Sequence, residues 1–451
     1  MSRPNVLVFL TDDHGPWAGN CFGAKELRTP TLDWLASAGT RMTAAYTPCP
    51  VCSPARASFW TGTLPSQHGI HDWINEPKFP DVGLSGERTL AELFQSAGYQ
   101  TGFVGKWHCG ASWFPKPGFD YYLGENKDQY PHRGVCKFME NGKPVEFVGQ
   151  RSAFVSEKAT EFLFRRDKTR PFFLFVGYVD THSPFTDHPE RLVDSYADAK
   201  FSDIPKEKYI GKATKLPGLA PTKETERRRR LSQYYAAVSF LDEQVGRVLD
   251  ALSPAELENT LVVYTSDHGH MNGHHGLYFK GNATVPQNFY EESIRVPSLM
   301  RWPGKLDAGK VSDVPMSHCD LFQTLLDAAQ ISESPEDASK RNSPGRSVLP
   351  LLAGRKPEAR SDWFCEYGNA RMIRRGRWKL IVRFAPHSGD EFYDLERDPR
   401  ETRNVIGQKG LASTVNELKA ALDAHFARFS NLGRAGTDPL PRFNGGSEPW
   451  A

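Results

Sequence analysis

The sequence predicts an α/β architecture: a large, mostly parallel sheet sandwiched by helices, followed by a smaller C-terminal α+β subdomain with a short antiparallel sheet. Three observations predict it. Short continuous apolar runs recur at wide intervals, helix-period patterns separate them, and beyond residue 355 closely spaced short strands take over.

The elements follow in order. NVLVFL (residues 5–10) has no polar alternation, which suits a strand buried on both faces, and Asp12-Asp13 follow it directly. TPTLDWLASAG (29–39) and RTLAELFQSAG (88–98) carry apolar residues at helical spacing, and TGFVG from Thr101 reads as the next strand. PFFLFVGYV from Pro171 and NTLVVYTSD from Asn259 are further buried strands. Between them, KETERRRRLSQYYAAVSFLDEQVGRVLDAL predicts a long amphipathic helix with Leu231, Tyr235, Val238, Leu241, Val245 and Val248 on its apolar face. Its opening run Arg227–Arg230 reads as a solvated face. WFCEY, ARMIRRGRWKLIVRF and EFYDLERDP then read as short antiparallel strands, before a helix at 413–428 and a Gly- and Pro-rich tail at 431–451. The expected division is 1–355 for the larger unit and 356–451 for the smaller.

Composition narrows the function. With 56 basic and 54 acidic residues the net charge is +2, so no global field argues for nucleic acid or an anionic membrane surface. The apolar run Val6–Leu10 is too short for a signal h-region and is followed by acids, so a cytoplasmic protein is expected. No segment reaches membrane-spanning length. Seven scattered cysteines, at 21, 49, 52, 109, 136, 319 and 365, fit free thiols better than a disulfide framework.

Polar residues cluster where strands end: Asp12-Asp13, then Lys106 and His108, then His182, then Asp267-His268. Ligands of open α/β sheets bind outside the carboxyl ends of strands, so these four segments are expected to converge on one crevice. Each pair alone could be a capping turn; two carboxylate-bearing pairs together suit one divalent ion. HGHMNGHHG, with His268, His270, His274 and His275, raises a zinc reading, but glycine punctuation rather than helical spacing argues against it. His108 and His182 could exchange protons near neutrality or simply be satisfied structural residues.

The stretch CSPARASFWTG, residues 52–62, contains Cys-x-Pro-x-Arg followed by Thr-Gly. With NVLVFLTDDHG, GKWH, TSDHG, GLYFKG and YDLERDPRETRNV in this order, the chain resembles the type I sulfatase family of the alkaline-phosphatase-like superfamily over nearly its whole length. The small departure is Ala55, often serine in relatives.

The resemblance implies an alkaline-phosphatase-like fold and a sulfuric ester hydrolase. It implies that a separate formylglycine-generating enzyme oxidises Cys52 to formylglycine. It further implies that Asp12, Asp13, Asp267 and His268 hold one divalent cation together with an oxygen of residue 52. Ca²⁺ is the first choice, with Mg²⁺ or Mn²⁺ as alternatives because His268 stands where many relatives carry an amide. Arg56 would position the hydrated aldehyde, and Lys106 and Lys280 would contact sulfate oxygens. One hydroxyl of the aldehyde hydrate would attack sulfur while His182, aided by Lys280, protonates the leaving alcohol; His108 would then take the proton of the second hydroxyl as sulfate departs.

The expected substrate is a small-molecule or saccharide sulfate ester, with Trp73, Trp113, Tyr121, Tyr122, His132 and Arg133 as candidate pocket residues that could equally be packing. A homo-oligomer is compatible with this reading. Two rivals stand beside it: a phosphonate or phosphate monoester hydrolase on the same framework, and a non-catalytic anion- or glycan-binding protein with Cys52 unconverted.

Overall fold

The structure is a computed structural model and describes residues 3–79, 83–84, 86–125, 132–208, 221–355, 361–385 and 389–434. Its centre is a ten-stranded sheet. From edge to edge the strands are Lys310–Ser312, Thr40–Met42, Ser298–Arg301, Thr260–Ser266, Asn5–Thr11, Phe172–Gly177, Gln100–Gly105, Tyr121–Glu125, Arg133–Glu140 and Lys143–Gln150. The five strands from Thr260–Ser266 to Tyr121–Glu125 are parallel to one another. Antiparallel pairs flank them on both sides.

The four strands expected from apolar runs are these central ones, and their burial explains the runs. Val6, Val8 and Leu10 join one core with Phe173, Phe175 and Val263, beneath the helices Cys52–Thr61, Leu90–Ser96 and His318–Ala328. Leu7 and Phe9 join the opposite core with Leu174, Val176 and Val262, against Arg151–Arg165 and Glu224–Leu249. Both faces are dry, so no polar alternation survives in the sequence.

Two elements pack the far side of the sheet. Tyr121 and Tyr122 open a strand, and their hydroxyls donate to Glu140 and to the Ser112 carbonyl. Tyr122 is buried and Tyr121 half-buried, in the packing role that the sequence left open. The helix Arg151–Arg165 buries the stripe Phe154, Val155, Ala159, Phe162 and Leu163.

The predicted long helix spans Glu224–Leu249, but its arginine run is not a solvated face. Arg227 donates to the Ile204 carbonyl, Arg228 to those of Ala197 and Ala199, and Arg230 to that of Tyr278; only Arg229 of the four is exposed. The loops carrying those carbonyls lie over the helix and need donors that Arg can supply at the end of a long apolar stem.

Beyond residue 355, the strands Asp362–Tyr367, Ala370–Arg375, Trp378–Arg383 and Glu391–Asp394 form an antiparallel meander, and the helix Ala412–Phe429 packs on it. Its other face meets Tyr46, Cys49 and Val51, just ahead of Cys52. The tail beyond 434 and the stretch 356–360 lie outside the described residues. Among the described residues no helix is long and apolar enough to cross a membrane.

Candidate active site

The helix Cys52–Thr61 carries the signature stretch, and the stretch explains the helix. Pro54 falls in the first turn, where a backbone N–H has no intrahelical partner to lose. Gly62 closes the helix at φ 68°, and a Cβ there would meet the Phe322 ring at 2.6 Å. Cys52 and Arg56 are four residues apart, so they share one face of the helix.

That face looks at the ends of the parallel strands. The buried Arg56 guanidinium donates through Nε to Asp267 Oδ2 at 2.8 Å, and through Nη1 to the Lys106 carbonyl at 3.0 Å. Its Nη2 lies 3.5 Å from Asp12 Oδ2. One side chain thus ties together three strand ends. Burial works against its charge, but Asp267 and Asp12 more than compensate and hold it firmly cationic.

Around the Cys52 Sγ the groups converge closely. Lys280 Nζ lies at 2.9 Å, His268 Nε2 at 3.3 Å and Asp12 Oδ1 at 3.5 Å. Lys280 Nζ also donates to Asp13 Oδ1 at 2.6 Å, and Lys106 Nζ to Asp12 Oδ2. Burial opposes ionisation of Asp12, yet Lys106, His182, Arg56 and Lys280 hold its carboxyl well below the usual range. His268 Nδ1 faces its neighbouring carbonyl at Gly269, which turns Nε2 inward. Burial disfavours the His268 charge, but Asp267 and Cys52 push its pKa up to about 9.

Asp12, Asp13, Cys52 and His182, and likewise Asp12, Cys52, Asp267 and His268, offer ligand atoms within 4.8 Å of one another. The donor set fits a divalent cation on chemistry: three buried carboxylates and one imidazole surround a point that the Lys280 ammonium approaches. Among the described residues, the buried Asp13 Oδ2 has no hydrogen-bond partner. Asp13 and His108 both adopt φ 57°, a left-handed backbone that non-glycine residues hold only at a cost.

The two histidines differ in a way that matters chemically. His108 directs Nε2 to the Ile74 carbonyl at 3.0 Å, leaving Nδ1 buried and without a partner among the described residues. Burial and Lys106 lower its pKa to about 4, so it is neutral at physiological pH with a lone pair on Nδ1. His182 directs Nδ1 to the Ser183 carbonyl at 2.6 Å, and its Nε2 stands 3.9 Å from Asp13 Oδ2. Its side chain is 18% exposed, against 5% or less for Cys52, Arg56, Lys106, His108 and Lys280, so it stands nearest to solvent.

Of the candidate pocket residues, Trp73 is half-buried beside Ile74, whose N–H donates to Ser53 Oγ next to Cys52. Trp113 is buried near Phe114, with ring centroids 6.1 Å apart, and Arg133 is exposed at the start of its strand. His132 is buried, and its Nε2 meets the His182 carbonyl at 3.1 Å. Of the other histidines in HGHMNGHHG, His274 binds the Met271 carbonyl and His275 binds Glu292, which makes them loop-packing residues. Stretch 126–131, part of the expected pocket segment, lies outside the described residues.

Sequence reasoning missed several supports of this site. Glu76 accepts from the N–H groups of Gly110 and Ser112 and so braces the loop bearing His108. Tyr234 donates to the Asp13 carbonyl, and Thr181 Oγ1 to that of Asp12. Only Tyr234 carried a signal, as an aromatic on the predicted long helix.

A parallel-centred sheet with a charged cluster at its carboxyl edge is the alkaline-phosphatase-like arrangement. The sulfatase family profile matches residues 4–331, and a profile described as N-sulphoglucosamine sulphohydrolase, C-terminal, matches residues 273–428. The chain belongs to the sulfatase family, hydrolases of sulfate esters. It is 30% identical to the uncharacterised sulfatase YidJ of Escherichia coli K12, across 100% of this chain and 91% of that protein. It is 28% identical to the N-acetylglucosamine-6-O-sulfatase of Bacteroides thetaiotaomicron, across 93% of this chain and 86% of that protein. A solved structure in complex with its substrate D-glucosamine-2-N,6-O-disulfate has the same fold, with a TM-score of 0.81 at 24% identity, covering 95% of this chain and 98% of that one.

Proposed function

We propose that this sulfatase acts through residue 52 as a formylglycine made from Cys52 by a separate maturation enzyme. Asp12, Asp13, Asp267 and His268 would hold one divalent cation, Ca²⁺ before Mg²⁺ or Mn²⁺ because three of the four donors are hard carboxylates. The observation that carries the reading is the convergence of Lys280, His268 and Asp12 on the Cys52 sulfur within 3.5 Å. When bound, the cation would offset negative charge on the sulfate group, and the hydrated aldehyde supplies one hydroxyl for attack on sulfur and a second for release of sulfate.

The chain's own groups take defined parts. Arg56 keeps the carboxylates of Asp12 and Asp267 in register. Lys106 and Lys280 present ammonium groups to the sulfate oxygens. His182 holds Nδ1–H on the Ser183 carbonyl, so the proton it gives to the leaving alcohol is carried on Nε2. Burial keeps that imidazole from charging on its own, and bound sulfate beside it favours the charged, proton-donating form. His108, neutral with an Nδ1 lone pair that has no partner among the described residues, accepts the proton of the second hydroxyl.

The substrate we propose is a saccharide sulfate ester, a reading supported by similarity to an N-acetylglucosamine-6-O-sulfatase. Residues 1–355 would form the catalytic unit and 356–451 its C-terminal subdomain. Matched aryl sulfate and aryl phosphonate esters test the chemistry, and N-acetylglucosamine 6-sulfate tests the substrate class. We expect a larger kcat/KM for the sulfate of the matched pair and turnover of the sugar. A larger kcat/KM for the phosphonate would overturn the sulfate preference, and inert sugar sulfates would overturn the saccharide reading.

A further inference from the structure

We propose that His132 is a positioning residue for the general acid, donating Nε2–H to the His182 carbonyl and so holding the turn that aims the His182 ring at the leaving oxygen. The inference rests on the reading of His182 as that acid.

The turn is short and its orientation matters. The His182 N–H closes it on the Val179 carbonyl at 2.8 Å, and Thr181 Oγ1 ties it to the Asp12 carbonyl. The ring itself is oriented by Nδ1 on the Ser183 carbonyl at 2.6 Å. Rotation of the peptide between His182 and Ser183 would carry that acceptor away. The His182 carbonyl belongs to the same peptide, and it is the atom that His132 Nε2 meets at 3.1 Å.

His132 is built to be rigid. It is 2% exposed, its ring lies 5.4 Å from that of His188, and its own carbonyl accepts from the Arg151 N–H at 2.8 Å. Arg151 is anchored in turn on Glu125 at 2.9 Å, in a buried ion pair. Burial, with Arg151 nearby, lowers the His132 pKa to about 4. The ring is therefore neutral at working pH, and a carbonyl opposite Nε2 requires that nitrogen to carry the proton. A neutral donor steadies the turn without placing a second positive charge beside the catalytic imidazole.

The test compares His132→Gln, which keeps an N–H donor, with His132→Phe, which keeps ring volume and loses the donor. His132→Ala, His182→Ala and the His132→Phe/His182→Ala double variant complete the set. Each is assayed for kcat/KM on aryl sulfates of graded leaving-group pKa. For His132→Phe we expect a loss of about 10- to 100-fold on poor leaving groups and little on activated ones, a steepening in the direction of His182→Ala. His132→Gln should recover most of it, and the double variant should fall no further than His182→Ala. The melting temperature of each variant identifies any that fold poorly, and His132→Phe reads the effect even if His132→Ala does not fold. A loss uniform across leaving groups, equal in His132→Gln and His132→Phe and additive with His182→Ala, would overturn the proposal. A flat leaving-group dependence in His182→Ala would instead overturn the general-acid reading on which it rests.

Discussion

Stripped of divalent ions by exhaustive chelation, the enzyme is expected to lose turnover and to melt several degrees lower. Asp12, Asp13, Asp267 and His268 come from two segments far apart in sequence and converge only in the folded chain. An ion bound there therefore favours the folded state; at a concentration about 1,000 times its Kd it contributes about 4 kcal/mol. Without the ion, three buried carboxylates depend on Arg56, Lys106, Lys280 and the neighbouring His268, and both lysines would be needed at the sulfate oxygens. Restoring Ca²⁺ should recover both activity and melting temperature, and elemental analysis should find about one ion per chain. Full activity in protein that elemental analysis shows to be metal-free would remove the cation from the mechanism.

Replacing either of the histidines proposed as catalytic is expected to cost about 10²- to 10⁴-fold, but at different steps. In His108→Ala the ester bond should break once, because His182 is untouched, and then the reaction should stall. Rapid quench would record a burst of alcohol, and mass analysis would find sulfate retained on residue 52. In His182→Ala the first cleavage itself should slow, severely for sugar alcohols and mildly for activated phenols whose oxygen needs little protonation. The asymmetry accords with the geometry: His108 offers a buried Nδ1 with no partner among the described residues, whereas His182 is the more exposed ring. Equal loss of the first step in both variants, without trapped sulfate or leaving-group dependence, would show that the roles are misassigned.

The strand-end residues are legible in the sequence because their position is local. Asp12, His182 and Asp267 each follow within a few residues of an apolar run with no polar alternation, and a parallel sheet brings the carboxyl ends of such runs to one edge. Cys52 and Arg56 are legible through the Cys-x-Pro-x-Arg signature, whereas the helix that sets them on one face is seen only in the folded chain. The C-terminal meander is readable because its strands are separated by short turns.

What is not legible depends on contacts between distant segments. His132 lies 50 residues from the carbonyl it binds, and nothing in its neighbourhood distinguishes a buried donor from a pocket residue. The run Arg227–Arg230 has the pattern of a solvated helix start, and only the loops folded over it turn three of its four members into carbonyl donors. The hairpin Arg133–Gln150 is half exposed along its length, so its strands lack the dense apolar signature of the central ones. Glu76 resembles any loop acid until the N–H groups of Gly110 and Ser112 are folded onto it.

The central claim concerns residue 52, and the most direct measurement is the mass of the tryptic peptide that contains it. That peptide, MTAAYTPCPVCSPAR, also contains Cys49, which serves as an internal control because it should remain an alkylatable thiol. In active enzyme produced with the maturation enzyme, we predict one alkylated cysteine and, at residue 52, the mass of an aldehyde in place of the thiol, trapped as a hydrazone by a carbonyl reagent. A peptide with two alkylatable thiols and no aldehyde, recovered quantitatively from protein that hydrolyses sulfate esters at its full rate, would contradict it.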